Sequence, residues 1–123
     1  MATTTIELKK GLRIGETQYT EAEIREPSAG DVIEAMEESE RLIMVPGPNG
    51  NDPQLVASPT MVGVHTLRRQ IVRIGTYQGP LSLAEIKRLS PSDLDALQTA
   101  AAMLEAAAVS ELARRGRDDS GQG

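Results

Sequence analysis

Over residues 3–26 apolar and polar positions alternate: Ile6 with Leu8, Leu12 with Ile14, then Ala22 with Ile24. A period of two belongs to a half-buried strand, and Lys9-Lys10-Gly11 and Gly15-Glu16 offer turns. The stretch predicts a small antiparallel hairpin or three-strand meander, which must pack on a helix because an isolated hairpin is marginal in water. After Pro27 the period changes. Ser28 stands three positions before Asp31, a capping spacing, and Val32, Ala35, Met36, Ser39 and Ile43 mark one stripe of a helix over about 29–43. Residues 45–53 then hold three prolines and two glycines, which predicts a mobile loop over 44–58, read as an insertion.

Ser58-Pro59 pairs an N-cap with proline at the first helical position and opens a helix over about 59–75. Val64, Leu67, Ile71 and Ile74 fall on one side of it, and His65, Arg69 and Arg73 form an opposite ridge with Arg68 beside it. Ser82 and Glu85 make a capping box for a short helix, 83–89. Ser90, Pro91 and Asp93 open the last helix, 91–115, with a stripe of Leu94, Leu97, Ala101, Leu104, Ala108 and Leu112 and an alanine-rich middle of high intrinsic helicity. Residues 116–123 read as a polar, disordered tail. The expected fold is α+β but mostly α: one domain over 1–115, a short N-terminal hairpin or meander followed by a small helical bundle.

Composition changes this picture in one respect. The 123 residues contain no Phe, Trp or Cys and only two aromatics, Tyr19 and Tyr77. Aromatic side chains usually dominate core energetics, so small aliphatics must do that work alone. Burial against copies of itself or a partner would supply the missing apolar contact; a plain small helical domain is the other reading. Without cysteine there are no disulfides, thiolate nucleophiles or Cys-ligated metals. The start lacks the pattern of a signal peptide, and no apolar run approaches the ~20 residues of a membrane span. The expectation is a soluble cytoplasmic protein. A net charge of −5 argues against nucleic acid as the main partner.

Candidate chemistry is sparse. His65 is the single histidine and has no acid near it in sequence, so it reads as a polar residue on a helix face. Residues 21–40 hold eight acids against one base, Arg25, while no acid occurs between Gln54 and Ala84. The acids lack the spacing of a calcium loop. They suggest instead an electrostatic interface, with Glu34 and Glu38 facing His65, Arg69 and Arg73 within the chain or between subunits. Gly11 and Gly15 do not make a phosphate loop. Residues 83–97 have the outline of a helix-turn-helix, but Asp93 and Asp95 at the start of the second helix would repel phosphates. No enzyme, cofactor, metal or nucleic-acid role is expected.

Taken in order, these segments resemble a known family. The β unit ends in Arg25-Glu26-Pro27, the step Ala29-Gly30-Asp31 leads into a helix, and Leu89 and Asp93-Leu94 precede the last helix. This looks like the tail assembly chaperones of Mu-like contractile-tailed phages, the group described as tail assembly protein E, 41 or 14. The resemblance is strongest at residues 5–42 and weaker at 80–105, and residues 44–60 depart from it in their prolines. It implies a non-enzymatic protein that binds the phage tape-measure protein in the host cytoplasm, keeps it soluble until tube subunits polymerise, and is absent from the mature virion. It also implies a longer form made by ribosomal frameshifting. Further partners would be that form, the tail tube protein and a second copy of the chain.

Such a role needs exposed amphipathic helices that lay an apolar stripe along another helix. Met36, Met44, Met61 and Met103 suit adaptable contacts. The expected surface is Val64, Leu67, Ile71 and Ile74 with Leu97, Ala101 and Leu104; the competing reading makes these residues the monomer core. The rival functions are a self-assembling tail or head component and a helix-turn-helix regulator.

Overall fold

The computed structural model describes residues 2–120. Two strands, β1 (Thr3–Ile14) and β2 (Thr17–Arg25), form an antiparallel hairpin that turns at Gly15 and Glu16. Helix α1 (Ala29–Ser39) follows, then a second antiparallel pair, β3 (Glu40–Gly47) and β4 (Gly50–Ala57). Helix α2 (Pro59–Gln70) runs straight into β5 (Ile71–Ile74), which turns back through the two-residue β6 (Tyr77–Gln78). Helices α3 (Leu83–Lys87) and α4 (Pro91–Ser120) complete the chain. Of the tail expected to be disordered over 116–123, the part up to Ser120 belongs to α4 and the remainder lies outside the described residues.

The fold is not the expected mostly α one with a helical bundle behind the hairpin. Among the described residues helix accounts for 47% and strand for 37%. The organising element is a four-stranded antiparallel sheet in the order β1-β2-β5-β6, with a separate two-stranded ribbon, β3-β4. Helix α2 stops at Gln70 because Ile71-Val72-Arg73-Ile74 is β-branched at three of four positions and has β2 as a partner, Ala22 opposite Ile74 and Ile24 opposite Ile71. Ile71 and Ile74 fit a helical stripe equally well in sequence; the open edge of β2 decides. Helix α1 likewise gives way to strand at Glu40.

The expected loop over 44–58 is instead most of the ribbon, paired in unbroken register from Glu40 opposite Ala57 to Gly47 opposite Gly50. Prolines are tolerated there for a physical reason. In a two-stranded ribbon every strand is an edge, and proline sits in an edge strand when its missing N–H would have pointed outward.

Strand β1 does not turn at Lys9-Lys10-Gly11. It continues with a bulge: Glu7 pairs with Glu21 and Leu12 with Tyr19, so residues 8–11 stand against Thr20 alone. The bulge frees backbone donors, and Asp93 in the first turn of α4 takes them. Its carboxylate accepts the N–H of Lys9 (2.8 Å), Lys10 (3.0 Å) and Gly11 (2.8 Å). Gly11 is required at this site, since its φ is +76° and a Cβ would lie 2.0 Å from the Tyr19 carbonyl oxygen. Helix α4 is thereby fixed across β1 and β2.

The core lies between that sheet and the helices. Leu8, Leu12, Ala22 and Ile24 come from the hairpin, Ile71 and Ile74 from β5, and Val64, Leu67, Leu81, Ile86, Leu89, Leu97, Ala100 and Ala101 from the second half of the chain. Tyr19 and Tyr77 pack at its margin. Each fully buried Leu or Ile contributes about 1.5–3 kcal/mol, so aliphatics alone assemble this core.

Candidate functional site

The residues expected to form a partner surface are in the core. Val64, Leu67, Ile71, Ile74, Leu97 and Ala101 are all at most 8% exposed, and Leu104 packs against them. What the chain exposes is elsewhere: Met103, Val109 and Leu112 along α4, and a second set on α1 and the ribbon. Ile33 and Met36 on α1, Leu42, Ile43 and Met44 on β3 and Leu55 on β4 are between 38% and 67% exposed.

Their arrangement follows from register. In the ribbon Glu40, Leu42, Met44 and Pro46 share one face with Ala57, Leu55, Pro53 and Asn51, their partners across the strands. All eight are exposed. Six of them are apolar, so this face is an apolar strip bounded by Glu40 at the base and Asn51 near the tip. The opposite face carries Val45 and Val56, which are partly covered.

The prolines set how the ribbon can be approached. Pro46 and Pro53 stand two pairs apart in phase with Leu42 and Leu55. A proline inside regular pairing must aim its nitrogen away from its neighbour, so these positions belong to the pairs whose backbone groups face outward. One donor is thus missing from each outer edge, a device that discourages strand addition.

Helix α1 continues the exposed surface. Ile33, Met36, Glu37 and Glu40 recur at helical spacing on its outer side, and Glu40 is also the first residue of the apolar ribbon face. The inner side of α1 is held down. Ser28 caps the helix in a capping box with Asp31, and Arg25 donates to both carboxylate oxygens of Asp31 at 2.6 and 3.2 Å and to the Arg69 carbonyl at 2.9 Å. The bond from Arg25 holds Asp31 at a pKa of about 2, against the cost of burial.

Further along, α1 and α2 are joined by charge. Glu38 accepts from Arg68 (2.5 Å) and from Arg69, and Arg69 also reaches Glu34 (3.1 Å). Arg68 Nε donates to His65 Nδ1 (3.0 Å), with Glu38 Oε2 3.1 Å from the same nitrogen. Arg68 and Arg69 hold Glu38 below the usual carboxylate range. Of the five residues expected at an electrostatic interface, the structure brings together Glu34, Glu38, His65 and Arg69, all within one chain. Arg73 is elsewhere, paired on the sheet with Glu21 (2.9 Å) and Glu23 (3.0 Å). A depression of about 570 Å³ lies beside Arg25, Arg68 and Arg69, lined by Asp31 and Glu34 on one side and by residues of β5 and the turn after β6 on the other.

Sequence reasoning missed Ile33, Leu42 and Leu55, and named Met44 only as a residue suited to adaptable contacts. A signal was present, since Leu42, Met44, Pro46 and Pro53, Leu55, Ala57 each keep a period of two, but the prolines masked it. Among the described residues no three His, Asp or Glu side chains come together to hold a metal ion, and no helix is long and apolar enough to cross a membrane.

Comparison with known proteins gives one consistent result. The family model described as tail assembly protein gp41 matches residues 8–117. The probable tail assembly protein gp41 of Escherichia phage Mu is 39% identical over 117 residues, covering 91% of this chain and 78% of that relative. The Mu-like prophage FluMu protein gp41 of Haemophilus influenzae is 34% identical over 113 residues, covering 92% of this chain and 87% of its own length. The probable tail assembly protein FS-gp41 of phage Mu is 39% identical over 111 residues, and the match spans only 57% of that longer relative. No solved structure matches the chain.

Proposed function

This chain belongs to the tail assembly protein gp41 family, and from that premise we propose that it is a non-enzymatic chaperone that binds the phage tape-measure protein during tail assembly. Its role in tail assembly within the infected host follows from the family. The observation that supports the finer reading is the exposed apolar surface of α1 and the ribbon. Leu42, Met44 and Leu55 are each more than half exposed and share one ribbon face, and a contiguous exposed apolar patch is a mark of an interaction site. A tape-measure protein is a long chain with apolar helical patterning, and a holding chaperone covers such patterns until tube subunits replace it. Methionine and leucine suit that work because they repack against different sequences.

The chaperone acts in the host cytoplasm and leaves before the particle is complete. The length of FS-gp41 relative to this chain agrees with a second, extended form that shares this domain and adds contacts of its own. Both claims meet in one experiment. Mass spectrometry of purified particles should find no stoichiometric amount of this chain, while affinity capture from lysates taken before assembly should recover it with the tape-measure protein. A ring-like stoichiometry in particles would favour a structural tail component instead.

A further inference from the structure

The exposed face of α1 and the ribbon is apolar at its centre and carries acidic side chains at its margin. Asp31 is taken by Arg25, Glu34 by Arg69, and Glu38 by Arg68 and Arg69. Glu37 and Glu40 are exposed and, among the described residues, hold no ion pair. They flank Met36 on the helix and Leu42 on the ribbon. We infer that this face receives an amphipathic helix carrying lysine or arginine beside its apolar stripe, laid flat on the ribbon, and not a strand added to the ribbon's edge. The inference rests on the chaperone reading and names the kind of tape-measure segment that would be held.

Three features carry it. Pro46 and Pro53 remove an outward donor from each ribbon edge, so a strand arriving there finds an interrupted ladder. The six apolar side chains of the face stand in cross-strand register, which gives a continuous strip for a helix to cover. From the level of Ala57 to that of Pro46 the strip covers six residue steps, about 20 Å at ~3.3 Å per residue, the length of a helix of about 13 residues at 1.5 Å rise. Complementary charge then selects among apolar helices, because Glu37 and Glu40 would be left facing like charge by an acidic one.

The test uses the full chain and overlapping synthetic peptides of about 25 residues covering the tape-measure protein from the same gene cluster, long enough for the expected helix. Binding is read by fluorescence anisotropy and helix formation by circular dichroism. The bound peptides should carry apolar residues at spacings of three and four, a net positive charge, and gain helix on binding. Leu42→Asp with Leu55→Asp should weaken that binding by at least about tenfold. Glu37→Lys with Glu40→Lys, which touches only exposed side chains and so serves if the first variant folds poorly, should weaken it about tenfold at low salt and much less at high salt. Bound peptides that are acidic or stay extended would overturn the inference, as would unchanged affinity in both variants.

The underlying reading is separated by co-expression with the whole tape-measure protein. If wild type and both variants all keep it soluble, this docking face is wrong and the chaperone reading stands. If wild type fails as well, both fall.

Discussion

The carboxylate of Asp93 accepts the backbone N–H of Gly11 at 2.8 Å and is itself only 1% exposed. One side chain at the start of α4 thus closes a bulge in β1 that lies 82 residues earlier, and α4 is held across the sheet by it. Three N–H donors converge on a buried charge, and hydrogen bonds to charged groups contribute about 1.5–3 kcal/mol each. Asp93→Asn turns one acceptor oxygen into a donor facing those N–H groups. The variant should lose about 3 kcal/mol or more of unfolding free energy in urea titration. A loss below about 0.5 kcal/mol would mean that the bulge is held by packing alone.

Acid should act through the same groups. Burial favours the neutral form of Asp93, but the N–H groups of Gly11, Lys9 and Lys10 outweigh it and keep the carboxyl below its usual range. Arg25 does the same for Asp31, to about 2, and Arg68 and Arg69 for Glu38. Carboxyls with lowered folded pKa values contribute stability that is fully present above their unfolded values near 4 and is lost as pH falls through the folded ones. Stability should therefore be flat with respect to these three groups from about pH 5 to neutrality and fall between about pH 4 and 2. In Asp93→Asn the acid-induced loss should be smaller than in wild type, because one of the linked groups is gone.

Helix α1 is the mount of the ribbon, and Glu38 is the centre of its ionic contact with α2. Glu38→Ala leaves Arg68 and Arg69 without that carboxylate. These groups are partly exposed, so the cost should be about 1 kcal/mol and should shrink with salt. Hydrogen exchange should show faster opening over residues 29–57 with little change in the sheet. Uniform acceleration would mean that α1 is not a separable unit.

Core and exposed apolar positions should behave oppositely. Leu67 is 2% exposed and Leu42 63%. Leu67→Ala should cost about 2–5 kcal/mol in stability, while Leu42→Asp should change stability by about 0.5 kcal/mol or less and reduce recovery of the tape-measure protein. If Leu67→Ala folded normally yet lost the partner, the docking surface would have to include α2.

What was legible in the sequence follows from which signals are local. Helix starts are local: Ser28, Ser58 and Ser82 each accept from the backbone N–H three residues on, as their spacing suggests. The charge asymmetry between residues 21–40 and 54–84 pointed to pairing of α1 with α2. Helix ends at Ser39 and Gln70 were not legible, because strand pairing outside each helix decides them, with β4 at the first and the sequence-distant β2 at the second. The apolar stripe of Val64, Leu67, Ile71 and Ile74 was visible, but a stripe looks the same whether it faces a core or a partner. The ribbon was missed because three prolines within residues 45–53 exclude a central strand and only a two-stranded context admits them. Asp93 carried an N-terminal helix signal, and nothing near it in sequence announced the bulge it would fill.

The most direct measurement is the fraction of tape-measure protein in the soluble fraction when it is expressed with this chain and when it is expressed without it. The tape-measure protein should precipitate alone and stay soluble with the chain, co-eluting with it on affinity and size-exclusion columns. Tape-measure protein that precipitates equally in both cases, with the chain itself folded and soluble and the longer form also supplied, would contradict the chaperone reading.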